Sequence, residues 1–230
     1  MITFLKKTEF FKNKHISNAY ILENQGFSNE NWIVVADDKK YILRKLLRAD
    51  VDRDFEYKVQ NLTYSKSITA KPIFYDKKYA LMAFEFIEGQ HKQELEKEDI
   101  EMLVKVLKEL HSIETNKEPI TIVLKNKTKE VKKAFETIEK YPEEYVLCHN
   151  DLNPQNIFFS DKVKFIDWEY AGVNDRYFDL ACVCVEFKLK GEMQKAFLDT
   201  YFQGEVSVLE KLEAYKVVYK ALCEEWFDSS

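Results

Sequence analysis

The chain is predicted to fold as an α+β protein, with a small β-rich N-terminal lobe over residues 1–87 and a larger, mainly helical C-terminal lobe over residues 88–230. Two observations predict this. Up to about residue 87 the apolar residues come in short runs of β-branched and aromatic side chains, whereas from Glu96 onward they recur at helical spacing. A hydrophobic content of 46% is that of a packed protein, and only 5 Gly and 4 Pro argue against a loop-rich all-β fold. No internal repeat or low-complexity linker interrupts the chain, so a short hinge is expected between the lobes.

In the first lobe, Ala19-Tyr20-Ile21-Leu22, Asn31 to Ala36 and Lys40 to Lys45 read as strands. Gly26, among Asn24, Ser28 and Asn29, predicts the turn between the first two, and Asp37-Asp38 predicts the next hairpin turn. A helix is predicted from Asp50, as its cap, to about Tyr64, with Phe55, Val59 and Leu62 on one face. Pro72 to Tyr75 and Tyr79 to Ile87 complete the strands, and Glu88-Gly89 ends the last.

In the second lobe, Ile100, Leu103, Val104, Leu107 and Leu110 mark one helix, and Val131, Phe135 and Ile138 mark another. Tyr145 to Cys148 is a short apolar strand that runs into a polar loop at His149. Two β-runs follow, Ile157 to Phe159 and Val163 to Ile166, hinged at Ser160-Asp161. The remainder is predicted helical, ending on the stripe Val208, Leu212, Tyr215, Tyr219, Leu222 and Trp226.

A net charge of −5, with lysines interleaved among acids, offers no basic face for nucleic acid. No segment approaches the length of a membrane span, and Met1 to Lys14 lacks the apolar stretch of a signal peptide. Cys148, Cys182, Cys184 and Cys223 form no CxxC pair and no zinc-type cluster; each lies in an apolar run, as free buried thiols do. A cytoplasmic protein with a small-molecule substrate, and with neither nucleic acid nor membrane as partner, is expected.

The chemistry concentrates in the loop from His149 to Asn156 and in Asp167. Phosphoryl transfer asks a protein for positioning and charge neutralisation more than for covalent chemistry. It needs a carboxylate to orient the attacking hydroxyl and accept its proton, and amide and carboxylate oxygens to hold magnesium. Asp151, Asn156 and, at the end of an apolar strand, Asp167 supply that set in chain order. An Asp-x-x-x-x-Asn alone is common in loops. A strand, His-x-Asp-x-x-x-x-Asn, a β-hairpin and Ile-Asp in succession is far less so. His149 reads as an orienting or packed residue and not as the acid–base group.

Cys148-His149-Asn150-Asp151-Leu152-Asn153-Pro154-Gln155-Asn156-Ile157 and Phe165-Ile166-Asp167-Trp168-Glu169-Tyr170-Ala171-Gly172 resemble the two signature motifs of the choline/ethanolamine kinase family. That family lies in the aminoglycoside-phosphotransferase branch of the protein-kinase-like fold. The second motif, followed by Asn174-Asp175 and Phe178-Asp179-Leu180-Ala181, is similar to the bacterial choline kinases in particular. The resemblance runs from about Tyr20 to Phe187 and is strongest over 147–181. It implies a bilobal kinase-like fold, ATP and Mg2+ as cofactors, and transfer to the hydroxyl of a small amino alcohol. Choline is the first choice of acceptor, with ethanolamine, thiamine or an aminoglycoside as alternatives. A catalytically inactive nucleotide-binding module is the alternative from another class, against which the presence of Asp151, Asn156 and Asp167 speaks.

By the same resemblance Asp151 is the catalytic base, and Asn156 and Asp167 are the magnesium ligands. The segment from Gly26 to Asn31 is similar to a phosphate-covering loop, which brings Ser28 and Asn29 to the nucleotide. Arg44 matches the strand residue that grips the phosphates, with Lys45 on the opposite face of the strand. A helical acid is expected to pair with Arg44: Glu56, or alternatively Asp52. Glu85, Phe86 and Ile87 match the hinge whose backbone meets adenine. For the acceptor, Asn153, Trp168, Glu169, Tyr170, Glu186 and Trp226 are implied, although Trp226 also continues a core stripe. Asp179 is expected to brace the loop by hydrogen bonds.

Overall fold

A computed structural model describes residues 2–23 and 28–229, and the chain divides into two compact units, 1–88 and 89–230. The turn expected at Gly26 lies outside the described residues.

The first unit opens with a short helix, α1 (Ile2–Leu5), that the strand-like pattern of the lobe gave no reason to expect. Five strands follow: β1 (Ile16–Ile21), β2 (Asn29–Ala36), β3 (Lys39–Leu46), β4 (Pro72–Asp76) and β5 (Leu81–Glu85). They form one antiparallel sheet in the order β1-β2-β3-β5-β4. Asp37 and Asp38, at φ 49° and 60°, make the two-residue turn that sets Ala36 opposite Lys39. Short Asp side chains tolerate this left-handed backbone better than branched ones.

Strand alternation then sorts β3. Tyr41 and Leu43 enter a core with Leu5, Phe11 and Val34, while Ile42 and Leu46 pack with Tyr57, Met82 and Phe84 on the other face. Tyr57 belongs to α2 (Arg53–Ser65). Asp52, and not Asp50, caps this helix: its carboxylate accepts the Phe55 amide at 3.0 Å. Asp50 instead pairs with the guanidinium of Arg48, so the predicted start lies early. The last strand is also shorter than predicted, because Asp76 accepts the Tyr79 amide in a turn that ends at Ala80 with φ 50°.

In the second unit the helices are α3 (Lys97–His111), α4 (Lys129–Ile138), α5 (Arg176–Glu186), α6 (Gly191–Phe202) and α7 (Leu209–Ser229). Between them run four short strands, β6 (Tyr145–Cys148), β7 (Ile157–Phe158), β8 (Lys164–Phe165) and β9 (Gly172–Asp175). The chain after Ile166 is therefore not all helical. Gly172-Val173-Asn174-Asp175 has no alternating pattern, and all four residues are buried against β6, with Cys148 opposite Gly172. Two ladders, β6–β9 and β7–β8, thus frame the loop 149–156 and the segment 166–171 at both ends. Behind them α5 is buried along an unbroken run from Tyr177 to Cys184 and packs against α7. No helix among the described residues is long and apolar enough to cross a membrane.

A buried cation ties α7 to this frame. Lys211 is 1% exposed; its Nζ donates to the Pro142 carbonyl at 2.7 Å and pairs with Asp175 at 2.6 Å and Glu144 at 3.2 Å. Removing this cation leaves the Asp175 carboxylate, 2% exposed, without its ion-pair partner, at a cost of about 3–5 kcal/mol. Lys211→Met, which keeps length and discards charge, should lower the unfolding free energy in urea by about 3 kcal/mol. A loss below about 1 kcal/mol would show that the pair contributes little.

Candidate active site

The loop after β6 is fixed by a carboxylate on α5 and by its own side chains. Asp179, on the buried face of α5, accepts the His149 amide through Oδ2 and the Asn150 amide through Oδ1, both at 2.8 Å. Asn150 sits at φ 65°, a backbone that Asn adopts more readily than most residues. Its Nδ2 donates to the Tyr170 carbonyl at 3.0 Å, and its Oδ1 accepts from Asn174 Nδ2 at 2.9 Å. His149 is fully buried; Nε2 meets the Ile166 carbonyl at 2.9 Å and Nδ1 accepts the Asp151 amide at 3.3 Å. One tautomer, with its proton on Nε2, satisfies both contacts. His149 therefore joins the two segments that carry Asp151 and Asp167.

Asp151 is held from both sides. Asn153 Nδ2 donates to Oδ1 at 3.0 Å and Asn156 Nδ2 to Oδ2 at 2.7 Å. Burial pushes the Asp151 carboxyl above the usual Asp range and the nearby Asp167 adds to this, while the side-chain hydrogen bonds from Asn153 and Asn156 pull the other way. Asn156 closes a 3-10 turn capped by Asn153, and its carbonyl accepts the Ile166 amide at 3.0 Å. This pairing brings Asn156 beside the segment that carries Asp167, itself at φ 66°.

The donor set suits a hard divalent cation. With Asn156 Nδ2 turned to Asp151, the side chain is left with its carbonyl oxygen, and Asp167 adds carboxylate oxygens. A second cluster, His111, Cys148 and Asp179, brings its ligand atoms within 4.8 Å of one another but is already engaged in hydrogen bonds. His111 bridges Tyr201 Oη at 2.6 Å and Asp179 at 3.1 Å, and Cys148 Sγ faces the carbonyls of Asn174 and Asp175. Burial raises the Cys148 thiol well above its ordinary value, which suits a brace and not a ligand.

Asp151 opens on a cavity of about 870 Å3. Asn153, Tyr170, Glu186 and Trp226, all predicted for the acceptor, line it too. Glu186 Oε1 accepts from Tyr219 Oη at 2.9 Å. Burial raises the Glu186 carboxyl, the Tyr219 bond opposes that, and Asp151 adds to it. Two predicted acceptor residues are elsewhere. Trp168 is 1% exposed, with its ring 4.6 Å from that of His149: the chain turns at Asp167 and lays the indole beneath the loop. Its neighbour Glu169 does not line the cavity either.

In the first unit, Arg44 Nη1 donates to Glu56 Oε1 at 3.1 Å and Nε to Asn31 Oδ1 at 3.2 Å. Glu56 also takes Arg53 at 2.7 Å, a second cation the sequence did not suggest. Asp52, the alternative partner, is occupied as the helix cap. Lys45 follows Arg44 on the opposite face of β3, where it is exposed. Ser28 and Asn29 are both buried at the start of β2. Glu85 reaches Lys71 at 3.7 Å, Phe86 donates its amide to the Lys40 carbonyl at 3.3 Å, and Ile87 packs with Met82 and Phe84.

The sequence reading missed Tyr219 and the segment from Ile120 to Val123, which also line the cavity. Tyr219 was visible only as part of a core stripe. Ile120 to Val123 carries no polar signature, and only tertiary structure brings it to the cavity.

A choline/ethanolamine kinase family profile matches residues 54–215. Protein LicA of Haemophilus influenzae is 42% identical over 71 residues, 30% of this chain and 27% of that protein. The crystal structure of choline kinase LicA from Streptococcus pneumoniae superposes with a TM-score of 0.78 at 20% identity, covering 93% of this chain and 85% of that one. A structure of LicA in complex with AMP gives 0.73 at 22% identity, over 94% and 84%. The chain spans less than two thirds of the length of the curated relatives it matches. The two structural likenesses establish a shared kinase-like fold, and the profile, which covers most of the chain and both loops of the site, establishes that the chain belongs to the choline/ethanolamine kinase family.

Proposed function

We propose that the protein transfers the γ-phosphoryl group of ATP to the hydroxyl of a small amino alcohol, choline first among them. The observation that carries this is the placement of Asp151 in one cavity with Tyr170, Trp226 and Glu186. A carboxylate positioned to take a hydroxyl proton shares that cavity with aromatic faces and a second carboxylate suited to a cation.

Asp151 accepts the proton of the acceptor hydroxyl as its oxygen attacks the γ-phosphorus, and the bond to the bridging oxygen of ADP breaks. Asn153 and Asn156 fix the carboxylate for that role. Asn156 and Asp167 would hold magnesium, whose charge offsets that on the phosphate oxygens. In the first unit Arg44, fixed by Glu56 and Asn31, is the residue for the nucleotide phosphates, with Ser28 and Asn29. The backbone at Glu85, Phe86 and Ile87 is the segment for adenine. A trimethylammonium group donates no hydrogen bond, so Tyr170 and Trp226 serve by cation–π contact, each contributing about 0.5–2 kcal/mol depending on desolvation. Residues 89–230 carry 28 acidic and 20 basic side chains, which favours approach of a cation. The size of the cavity, about 870 Å3, supports a bulkier aminoglycoside acceptor as the second reading.

ADP release from Mg-ATP, measured with choline, ethanolamine, thiamine and kanamycin in turn, should be fastest with choline. Equal background rates with all four would favour a nucleotide-binding module. Asp151→Asn should lower kcat by about 100- to 10,000-fold while Mg-ATP binding by calorimetry is kept; near wild-type turnover would remove Asp151 as the base. Tyr170→Ala should raise the choline KM by about 3- to 30-fold, and unchanged kinetics would take Tyr170 out of the acceptor site.

A further inference from the structure

We infer that residues 119–124 form a specificity-determining strap, an aliphatic wall of the acceptor cavity that selects cations carrying alkyl groups. The inference rests on the acceptor reading above and names the part of the fold that sets its preference.

The strap is anchored at both ends within the second unit. At one end Pro119 bridges to Val173 of β9, and the Ile120 amide donates to the Val173 carbonyl at 2.8 Å. The Ile120 side chain lies directly over Gly172: a Cβ there would come within 2.5 Å of Ile120 Cδ1 and 3.0 Å of Cγ1. Glycine is what allows this approach. At the other end the Glu225 carboxylate on α7 accepts the amides of Lys125 at 3.0 Å and Asn126 at 2.7 Å. Leu124 is buried there with Val131, Ala214 and Val218. Glu225 is next to Trp226, so one anchor holds both the strap and an aromatic wall of the cavity.

Between the anchors Ile120, Thr121, Ile122 and Val123 line the cavity. Ile120 and Val123 keep 41% and 71% of their surface exposed although both are aliphatic. The side chains of this wall offer a ligand one hydroxyl and no carboxylate. A primary ammonium pressed against it gives up hydrogen bonds to water without replacement, whereas N-methyl groups gain apolar contact. The wall therefore favours the trimethylated head over the primary amine, and Gly172 and Glu225 act as positioning residues for it.

The test compares wild type with Ile120→Ala, Gly172→Ala, the double variant and Glu225→Gln. Binding of choline and of ethanolamine is followed by tryptophan fluorescence, and the acceptor and ATP KM are measured alongside. Each single variant should weaken choline by about 3- to 10-fold and ethanolamine by less than about twofold, with ATP KM unmoved. The double variant should match Ile120→Ala alone, because the methyl group added at position 172 then has no isoleucine tip to displace. Equal losses for both amines, or effects that multiply in the double variant, would overturn the strap. Glu225→Gln gives the same selective loss by a route that leaves β9 intact. Wild type that binds choline without phosphorylating it would refute the phosphotransfer reading and not the strap; wild type that binds neither amine would overturn the strap.

Discussion

The carboxylate of Asp179 is the constraint on which the rest of the site depends. It accepts two successive backbone amides, those of His149 and Asn150, at the point where the chain leaves β6 in a left-handed turn. A non-glycine residue in that conformation costs about 1–2 kcal/mol. Hydrogen bonds to a buried charge contribute about 1.5–3 kcal/mol each, so two of them outweigh the strain. His111 on α3 supplies a further contact to the same carboxylate, and Tyr201 on α6 fixes the His111 ring in turn. The direction in which Asp151 points is thus set from behind, by side chains on three helices, and none of those three side chains lines the cavity on which Asp151 opens.

From that bracket the remaining geometry follows by short steps. Asn150 reaches Tyr170 and Asn174, and His149 reaches Ile166, so one loop registers the whole segment 166–174. The cost lies in burying polar groups, and those of His149, Asn150, Asn174 and Asp179 are each met by a neighbour. The cavity beyond Asp151 is built differently. Its wall from Ile120 to Val123 and at Phe178 and Trp226 is largely apolar, while Gln93, Gln155, Glu186 and Lys188 place polar groups around it. The hydrogen-bonded loop and the cavity wall meet at Gly172, which pairs with Cys148 on one side and carries Ile120 on the other.

Much of this was legible in the sequence because its signals were local. The hairpin at Asp37-Asp38, the strand from Tyr145 to Cys148 and the Asp151–Asn156 spacing depend on residues close in the chain. The pairing of Arg44 with Glu56 followed from the family resemblance, which left Asp52 open as an alternative, and the ion pair is present at 3.1 Å. Other features were hidden because they depend on partners far away. β9 shows no alternation, since it is buried on all sides and holds Asn174 and Asp175 through side-chain bonds. Trp168 looked like a substrate aromatic from its place in the motif, yet the turn at Asp167 drives it into the core. Ile120 reads as an ordinary loop residue until β9 is placed beneath it.

The central claim is that Asp151 and its loop carry out phosphoryl transfer to a small alkylated amino alcohol. Phosphorus NMR of the protein with Mg-ATP and choline tests it most directly. A new phosphomonoester resonance should grow as the γ-phosphate signal of ATP falls in equal measure, and neither change should occur with Asp151→Asn. An unchanged ATP spectrum, or release of inorganic phosphate alone, would contradict it.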